Sequence, residues 1–285
     1  MFYITCIIML LTPFNYTFGA THSIFHYENQ MNNIPVVVLH GIASSSNKMQ
    51  PFSEWISDRF NRKVYNIEIG NGEKTSLYTS MPFQLKQLCD TLYAINALKN
   101  GFDFIGMSQG GLLARGYVEQ CNKFPVLNLI TLVTPHGGVK TDLTTNLYTT
   151  FFQDHFSVAG YWRDPTRMTT YLDICNYLPE LNNERISSIS EIQKDHIESL
   201  INMVLIWSTN DDVIIPHESS KFSFYDENYS IIDIRDTELY KLDLLGLKYL
   251  DDNNRFHIHE TNCSHVEHRD PVCYDQLYEI LRYYL

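Results

Sequence analysis

Along the chain, short and wholly apolar runs alternate with longer segments whose apolar positions recur every three or four residues. The run IPVVVL at 34–39 is β-branched and has no polar alternation. That is the pattern of a strand buried on both faces of a parallel sheet. HGIASSSNKM follows as a loop, and PFSEWISDRF then has the spacing of a helix. KVYNIEIG reads as a second strand, MPFQLKQLCDTLYAINAL as an amphipathic helix and FDFIGMS as a third strand. QGGLLARGYVEQC then reads as a helix and VLNLITLVTP as a fourth strand. This β-α-β-α order predicts a parallel α/β sheet with helices on both faces.

From about 140 to 200 the rhythm changes. TTNLYTTFFQDHFSVAGYWRDP and YLDICNYLPELNNER are rich in aromatics and poor in strand signal. They predict an inserted, mostly helical segment lying over the carboxyl edge of the sheet. MVLIWSTNDD resumes as a strand, RFHIHE reads as the last strand, and YDQLYEILRYYL as the final helix. No repeat, low-complexity tract or linker interrupts the 285 residues. A single domain over 21–285 is expected.

The first twenty residues stand apart. FYITCIIMLLTPF is apolar and uncharged and gives way to small residues at Gly19 and Ala20. This reads as a secretory signal peptide over 1–20, too short for a comfortable membrane span. No other stretch is long and apolar enough to cross a bilayer, so no stable span is expected after signal removal.

Removing Cys6 with the signal leaves Cys89, Cys121, Cys175, Cys263 and Cys273. No CxxC occurs, so no metal site is expected. In a secreted chain disulfides are the default use, and an odd count leaves one thiol unpaired. Asn228 and Asn262 head N-x-S/T glycosylation sequons. The net charge of −12 argues against a nucleic-acid-binding surface. Protonating the 11 histidines near pH 5 would bring it toward roughly −1, which suits an acidic compartment.

The candidate chemistry centres on FDFIGMSQGG. Gly106-x-Ser108-x-Gly110 lies between a predicted strand and a predicted helix, the setting of a nucleophile elbow. In so tight a turn, larger side chains at the two glycines would collide with neighbouring backbone. A serine hydroxyl needs a base to take its proton. In an α/β-hydrolase arrangement the acid and then the histidine follow the serine, at the ends of later strands. Asp211 and Asp212 follow the strand MVLIWST, and Asp211 is the first choice for the acid. His217 is too close to that strand, while His257 and His259 fall within the predicted last strand. His265 and His268 lie in the loop after it, where the base belongs, and pattern alone does not separate them. The oxyanion donors expected are the N–H of Gln109, after the nucleophile, and that of Ile42, in the loop after the first strand. His40 precedes the serine in chain order and is assigned to holding that loop.

These residues resemble the palmitoyl-protein thioesterases, and the lysosomal type-one branch most closely. VVVLHGI is similar to the family's first strand and oxyanion loop, NIEIG to its second strand and IGMSQGG to its elbow. FQLKQLC and YVEQC are similar to two of its helices. YWRDP, LNNER and TELYKLDLLGLKYLD carry the resemblance beyond any catalytic motif. It implies an α/β-hydrolase fold and the triad Ser108, Asp211 and His265. The acid falls in the family's Asn-Asp pair, here Asn210-Asp211, and a gapless count from the GLK motif falls on His265. It also implies a disulfide between Cys89 and Cys121. By spacing, Cys263 and Cys273 are candidates for a second, leaving Cys175 as the free thiol.

The activity implied is removal of long-chain acyl groups, palmitate above all, from cysteine thioesters of proteins or peptides, with no cofactor. The substrate would be an S-acylated protein or peptide and one product a fatty acid. The location implied is lysosomal, or secreted. Tyr148, Phe151, Phe152 and Phe156 of the insertion are candidate walls of the acyl groove. The chain departs from the family at LVTPHGG, where His136 is new, at Ser44 to Ser46 in place of cysteines, and in the loop HVEHRDPVC. The alternatives are a secreted lipase or esterase with the same triad and an inactive hydrolase fold that binds lipid.

Overall fold

The computed structural model describes residues 34–140 and 146–285. The signal peptide expected over 1–20, with Cys6, lies outside the described residues. The first half alternates as the pattern predicts: β1 (Val36–Leu39), α1 (Ser46–Phe60), β2 (Val64–Ile67), α2 (Glu73–Tyr78), α3 (Met81–Tyr93), β3 (Phe102–Met107), α4 (Gln109–Gln120) and β4 (Val126–Leu132). In the middle come α5 (Thr150–His155), α6 (Met168–Ile174), α7 (Leu178–Leu181) and α8 (Ser190–Glu198). β5 (Asn202–Ser208) precedes a two-stranded hairpin of β6 (Phe224–Tyr225) and β7 (Ile231–Ile232). α9 (Glu238–Lys241), α10 (Leu247–Asp252), β8 (Phe256–Thr261) and α11 (Tyr274–Leu281) complete the chain.

The main sheet has six strands in the order β2-β1-β3-β4-β5-β8, and every neighbouring pair is parallel. Its central strands β1, β3, β4 and β5 are mostly apolar because both faces are covered. Val37, Leu39, Phe102 and Phe104 join one core with Leu85 and Leu88 of α3 and Leu112 and Tyr117 of α4. Val36, Val38, Ile105 and Met107 point the other way, into a second core with Phe52 and Ile56 of α1 and Leu277 and Leu281 of α11. Successive residues of one strand thus feed opposite layers, as the period of two requires.

The order reverses at β1, which pairs with β2 on one side and β3 on the other. At such a switch point the following loops diverge and leave a crevice at the carboxyl ends of the two strands. Ile42 follows β1 and Ser108 follows β3, so both fall in that crevice.

The structure shortens the predicted insertion. Ser190–Glu198 reads with the aromatic segment in sequence but packs as a crossover helix of the sheet. Ile197 lies in the core with α4, His196 Nδ1 is 2.9 Å from Glu119 O, and β5 follows at once. The rest reaches over the sheet edge. Ser157 Oγ donates to Ser76 O of α2 at 2.7 Å, and Tyr161 Oη donates to Gln109 Oε1 at 3.0 Å.

Candidate active site

β3 runs directly into Ser108, and α4 begins at the next residue. Ser108 has φ 55° and ψ −126°, a conformation that costs a non-glycine residue on the order of 1–3 kcal/mol. The turn is over-determined by close backbone approach on both sides. A Cβ on Gly106 would stand 2.6 Å from Gly110 O. A Cβ on Gly110 would stand 2.7 Å from Leu39 O and closer still to His40 O. Glycine is therefore needed at both places to seat the elbow against β1.

Ser108 faces a pocket of about 270 Å³, lined also by Gly41, Ile42, Met107, Val213 and His265. Two loops at the carboxyl ends of adjacent strands bring in the rest. After β5, Asp211 accepts N–H bonds from Val213 and Ile214, both 2.9 Å to Oδ1. After β8, His265 places Nδ1 2.9 Å from Asp211 Oδ2. Burial of Asp211 works against its charge. The hydrogen bond and charge of His265, with the two N–H groups, outweigh that and hold the carboxyl below its usual range. With Nδ1 committed to Asp211, the Nε2 edge of the ring is the one left for the pocket.

The oxyanion candidates sit beside the serine. Gln109 opens α4, so its N–H has no intrahelical acceptor. Its side chain is locked by Tyr161 Oη on Oε1 and by Ser76 O and Gln84 Oε1 on Nε2. Ile42 lines the pocket. Behind it, the buried His40 has Nδ1 2.9 Å from Gly41 O and Nε2 2.9 Å from Glu68 Oε1. Glu68 Oε2 accepts from both Ser46 N and Ser46 Oγ. Glu68 was not singled out by sequence reasoning, since nothing local marks it.

Other residues of the sequence reading are placed elsewhere. Asp212 is exposed, and its Oδ1 takes the His265 N–H at 3.3 Å. His268 is buried with Nε2 2.8 Å from Thr261 Oγ1 and Nδ1 2.9 Å from Ser264 O, so both nitrogens are engaged. His136 is buried outside this pocket, with Nε2 3.0 Å from Thr131 Oγ1 and its ring stacked 4.4 Å from Phe222. Tyr148 is buried, with its hydroxyl on Trp162 O. Phe151, Phe152 and Phe156 cluster with Tyr78 of α2, and Phe151 and Tyr78 are exposed. The walls at Ser108 come instead from Ile42, Ala43, Met107, Val213 and Val266.

Cys89 is bonded to Cys121, and Cys263 to Cys273, closing the loop that carries His265. Cys175 is free and buried, its thiol pushed up to about 12 by desolvation. Asn228 and Asn262 are exposed. Among the described residues no helix is long and apolar enough to cross a membrane.

The palmitoyl protein thioesterase family matches residues 35–265. The palmitoyl-protein thioesterase 3 of Dictyostelium discoideum is 37% identical over 248 residues, covering 82% of this chain and 86% of that protein. The lysosomal thioesterase PPT2 homolog of Drosophila melanogaster is 34% identical over 231 residues, covering 76% and 80%. The palmitoyl-protein thioesterase 1 of Caenorhabditis elegans is 26% identical over 270 residues, covering 85% and 89%. Among solved structures, the lin2722 product of Listeria innocua superposes with TM-score 0.51 at 12% identity, over 88% of this chain and 95% of that one. A monoacylglycerol lipase of Paleococcus ferrophilus does so with TM-score 0.50 at 16% identity, over 87% and 93%. The structural likeness gives the α/β-hydrolase fold alone. The sequence match spans most of the chain and reaches from the loop after β1 to His265, and with it the chain belongs to the palmitoyl protein thioesterase family.

Proposed function

We propose that the chain hydrolyses long-chain fatty-acyl thioesters, palmitate among them, on cysteines of proteins or peptides through a Ser-His-Asp acyl-enzyme mechanism. The observation that carries this reading is one pocket holding Ser108, Ile42 and His265, with Asp211 pinned on the far nitrogen of that histidine. His265 Nε2 takes the Ser108 proton as Oγ attacks the thioester carbonyl. Asp211 fixes the ring and balances the charge it gains. The N–H groups of Ile42 and Gln109 hold the oxyanion. The carbon–sulfur bond breaks and the thiol leaves. A water activated by His265 then releases the fatty acid from Ser108. Thiolate is a good leaving group, so its protonation matters less here than in amide cleavage.

The acyl chain dominates binding in this account. At about 0.8 kcal/mol per buried CH₂, even a partly buried palmitoyl chain outweighs any one polar contact. The pocket at Ser108 would receive the thioester and the start of the chain. The aromatic cluster of Phe151, Phe152 and Phe156 is the proposed continuation. Lysosomal or secreted action fits the names of the relatives and the apolar leader.

Initial rates on an S-palmitoyl-cysteine peptide and an O-palmitoyl-serine peptide of the same sequence test the reading. The thioester is expected to turn over faster. A clear preference for the oxygen ester would assign the site to an esterase. No reaction with either, and no labelling by a fluorophosphonate, would leave a lipid-binding module.

A further inference from the structure

The wall of the pocket carries one side chain that the mechanism above does not use. Arg269 lines it together with His265 and Val266, while the rest of the lining is apolar apart from Ser44 and Ser108. Nη1 of Arg269 donates to Ser44 Oγ at 3.0 Å. Among the described residues no carboxylate pairs with this guanidinium. The acids of its own turn and of the Asp211 loop are engaged elsewhere or turned outward. Asp211 is on His265, Asp212 takes the His265 N–H, Glu267 accepts from Ser264 N at 2.7 Å, and Asp270 is exposed.

Arg269 is also held in place. Its turn, Val266–Arg269, lies inside the loop closed by Cys263 and Cys273. Its carbonyl accepts from Tyr274 Oη at 3.1 Å, and the Tyr274 ring stacks 4.2 Å from Trp55. A guanidinium in a fixed position, with donors to spare, is built to take an oxyanion.

Its position says which part of the substrate it meets. A chain of methylenes gains nothing from a guanidinium. The thiol must leave beside His265, whose loop forms this wall. Groups attached to the leaving sulfur therefore pass Arg269.

We propose that Arg269 is a specificity-determining residue that binds a carboxylate on the leaving-group side of the thioester, and so favours acylated cysteines with an acidic neighbour. The inference rests on the thioesterase reading for the leaving atom, though not for the anion site itself. The carboxylate has two possible sources, an acidic side chain next to the cysteine and the cysteine's own α-carboxylate.

The test is kcat/KM on S-palmitoyl peptides that differ only beside the cysteine, as Glu, Gln or Lys. S-palmitoyl-cysteine with a free or an amidated carboxyl forms the second arm. The wild type is expected to prefer Glu over Gln by roughly tenfold, the scale of one partly exposed charge-assisted hydrogen bond. Added salt should shrink that ratio. Arg269→Gln should bring it near one, Arg269→Lys should keep part of it, and Arg269→Glu should turn it toward the Lys peptide. Ser44→Ala keeps the guanidinium and should keep the preference. If the free α-carboxylate is favoured instead, in a way that Arg269→Gln removes, the anion is the cysteine's own. Equal rates on Glu, Gln and Lys peptides with no effect of the carboxyl, or a ratio that Arg269→Gln leaves intact, overturn the proposal. The same flanks on O-palmitoyl-serine peptides separate the two readings. If thioesters are inert and the esters show the Arg269-dependent ratio, the anion site stands and the thioesterase reading falls.

Discussion

His40 Nε2 stands 2.9 Å from Glu68 Oε1, while the other ring nitrogen of His40 stands 2.9 Å from Gly41 O. Gly41 C=O and Ile42 N–H belong to one planar peptide and point in opposite directions. Holding the carbonyl back therefore aims the N–H forward, toward the pocket. Ser46 anchors Glu68, and Glu68 stands against the ring, so the Ile42 N–H, the oxyanion donor of the proposed mechanism, is set from behind.

His40→Ala and Glu68→Gln should lower kcat with little change in KM, because they act on the Ile42 N–H, which the proposed mechanism uses mainly in the transition state. The loss expected is about ten- to a hundredfold, below the removal of a donor itself. Steady-state kinetics check this; a change confined to KM would contradict it.

The elbow makes a structural prediction. Gly106→Ala puts a Cβ into the backbone of Gly110 and Gly111, and Gly110→Ala puts one into that of Leu39 and His40. Neither neighbour is a flexible side-chain end that can move aside. Each variant should lose on the order of 1–3 kcal/mol by overpacking and most of its turnover. Urea melts and single-turnover rates read the two effects separately.

Acid pH acts on Asp211 in a defined direction. Its folded-state carboxyl is held below the usual range, so its ionised form contributes stability above the unfolded value, near pH 4. That contribution is lost as pH falls through the lower, folded value. The melting-temperature gap between wild type and Asp211→Asn should be constant above about pH 5 and close below about pH 4. A gap that instead opens on acidification would contradict the assigned sign.

Glu119 moves the other way. It lies buried in α4, with Oε1 3.3 Å from Arg115 Nη1, and desolvation pushes its carboxyl up to about 8 against the attraction of that arginine. A raised carboxyl contributes stability below the unfolded value, near 4.3, and loses it as pH climbs toward 8. Glu119→Gln should therefore gain on wild type between those limits, by up to about 1.4 kcal/mol per pH unit. Equal pH slopes for the two proteins would show that Glu119 is ionised in the fold.

How much of this was legible in the sequence depended on range. The β1, β3, β4 and β5 runs were readable because burial on both faces leaves them mostly apolar, with few polar positions to confuse them. The strand-turn-helix setting of Ser108 was readable for the same reason. The start of α1 was not. Ser46–Phe60 begins in a serine-rich stretch, with no apolar spacing to separate it from the loop. Local pattern put Asp211 ahead of Asp212 only by its place after the strand, and it did not separate His265 from His268, since each pair shares one loop. What separates the histidines is that His265 meets Asp211, far along the chain, whereas His268 turns to Thr261 nearby. Glu68 and Arg269 escaped notice for that reason too, as their partners His40 and Ser44 lie in a different loop.

The central claim is tested most directly by hydrolysis of an S-palmitoyl-cysteine peptide at acidic and neutral pH. Wild type is compared with Ser108→Ala, His265→Ala and His268→Ala, each checked for folding by its melting temperature. Ser108→Ala and His265→Ala should fall by at least roughly a thousandfold, while His268→Ala, if folded, turns over. Full activity of Ser108→Ala, or loss in a folded His268→Ala with His265→Ala active, would contradict the assignment of nucleophile and base.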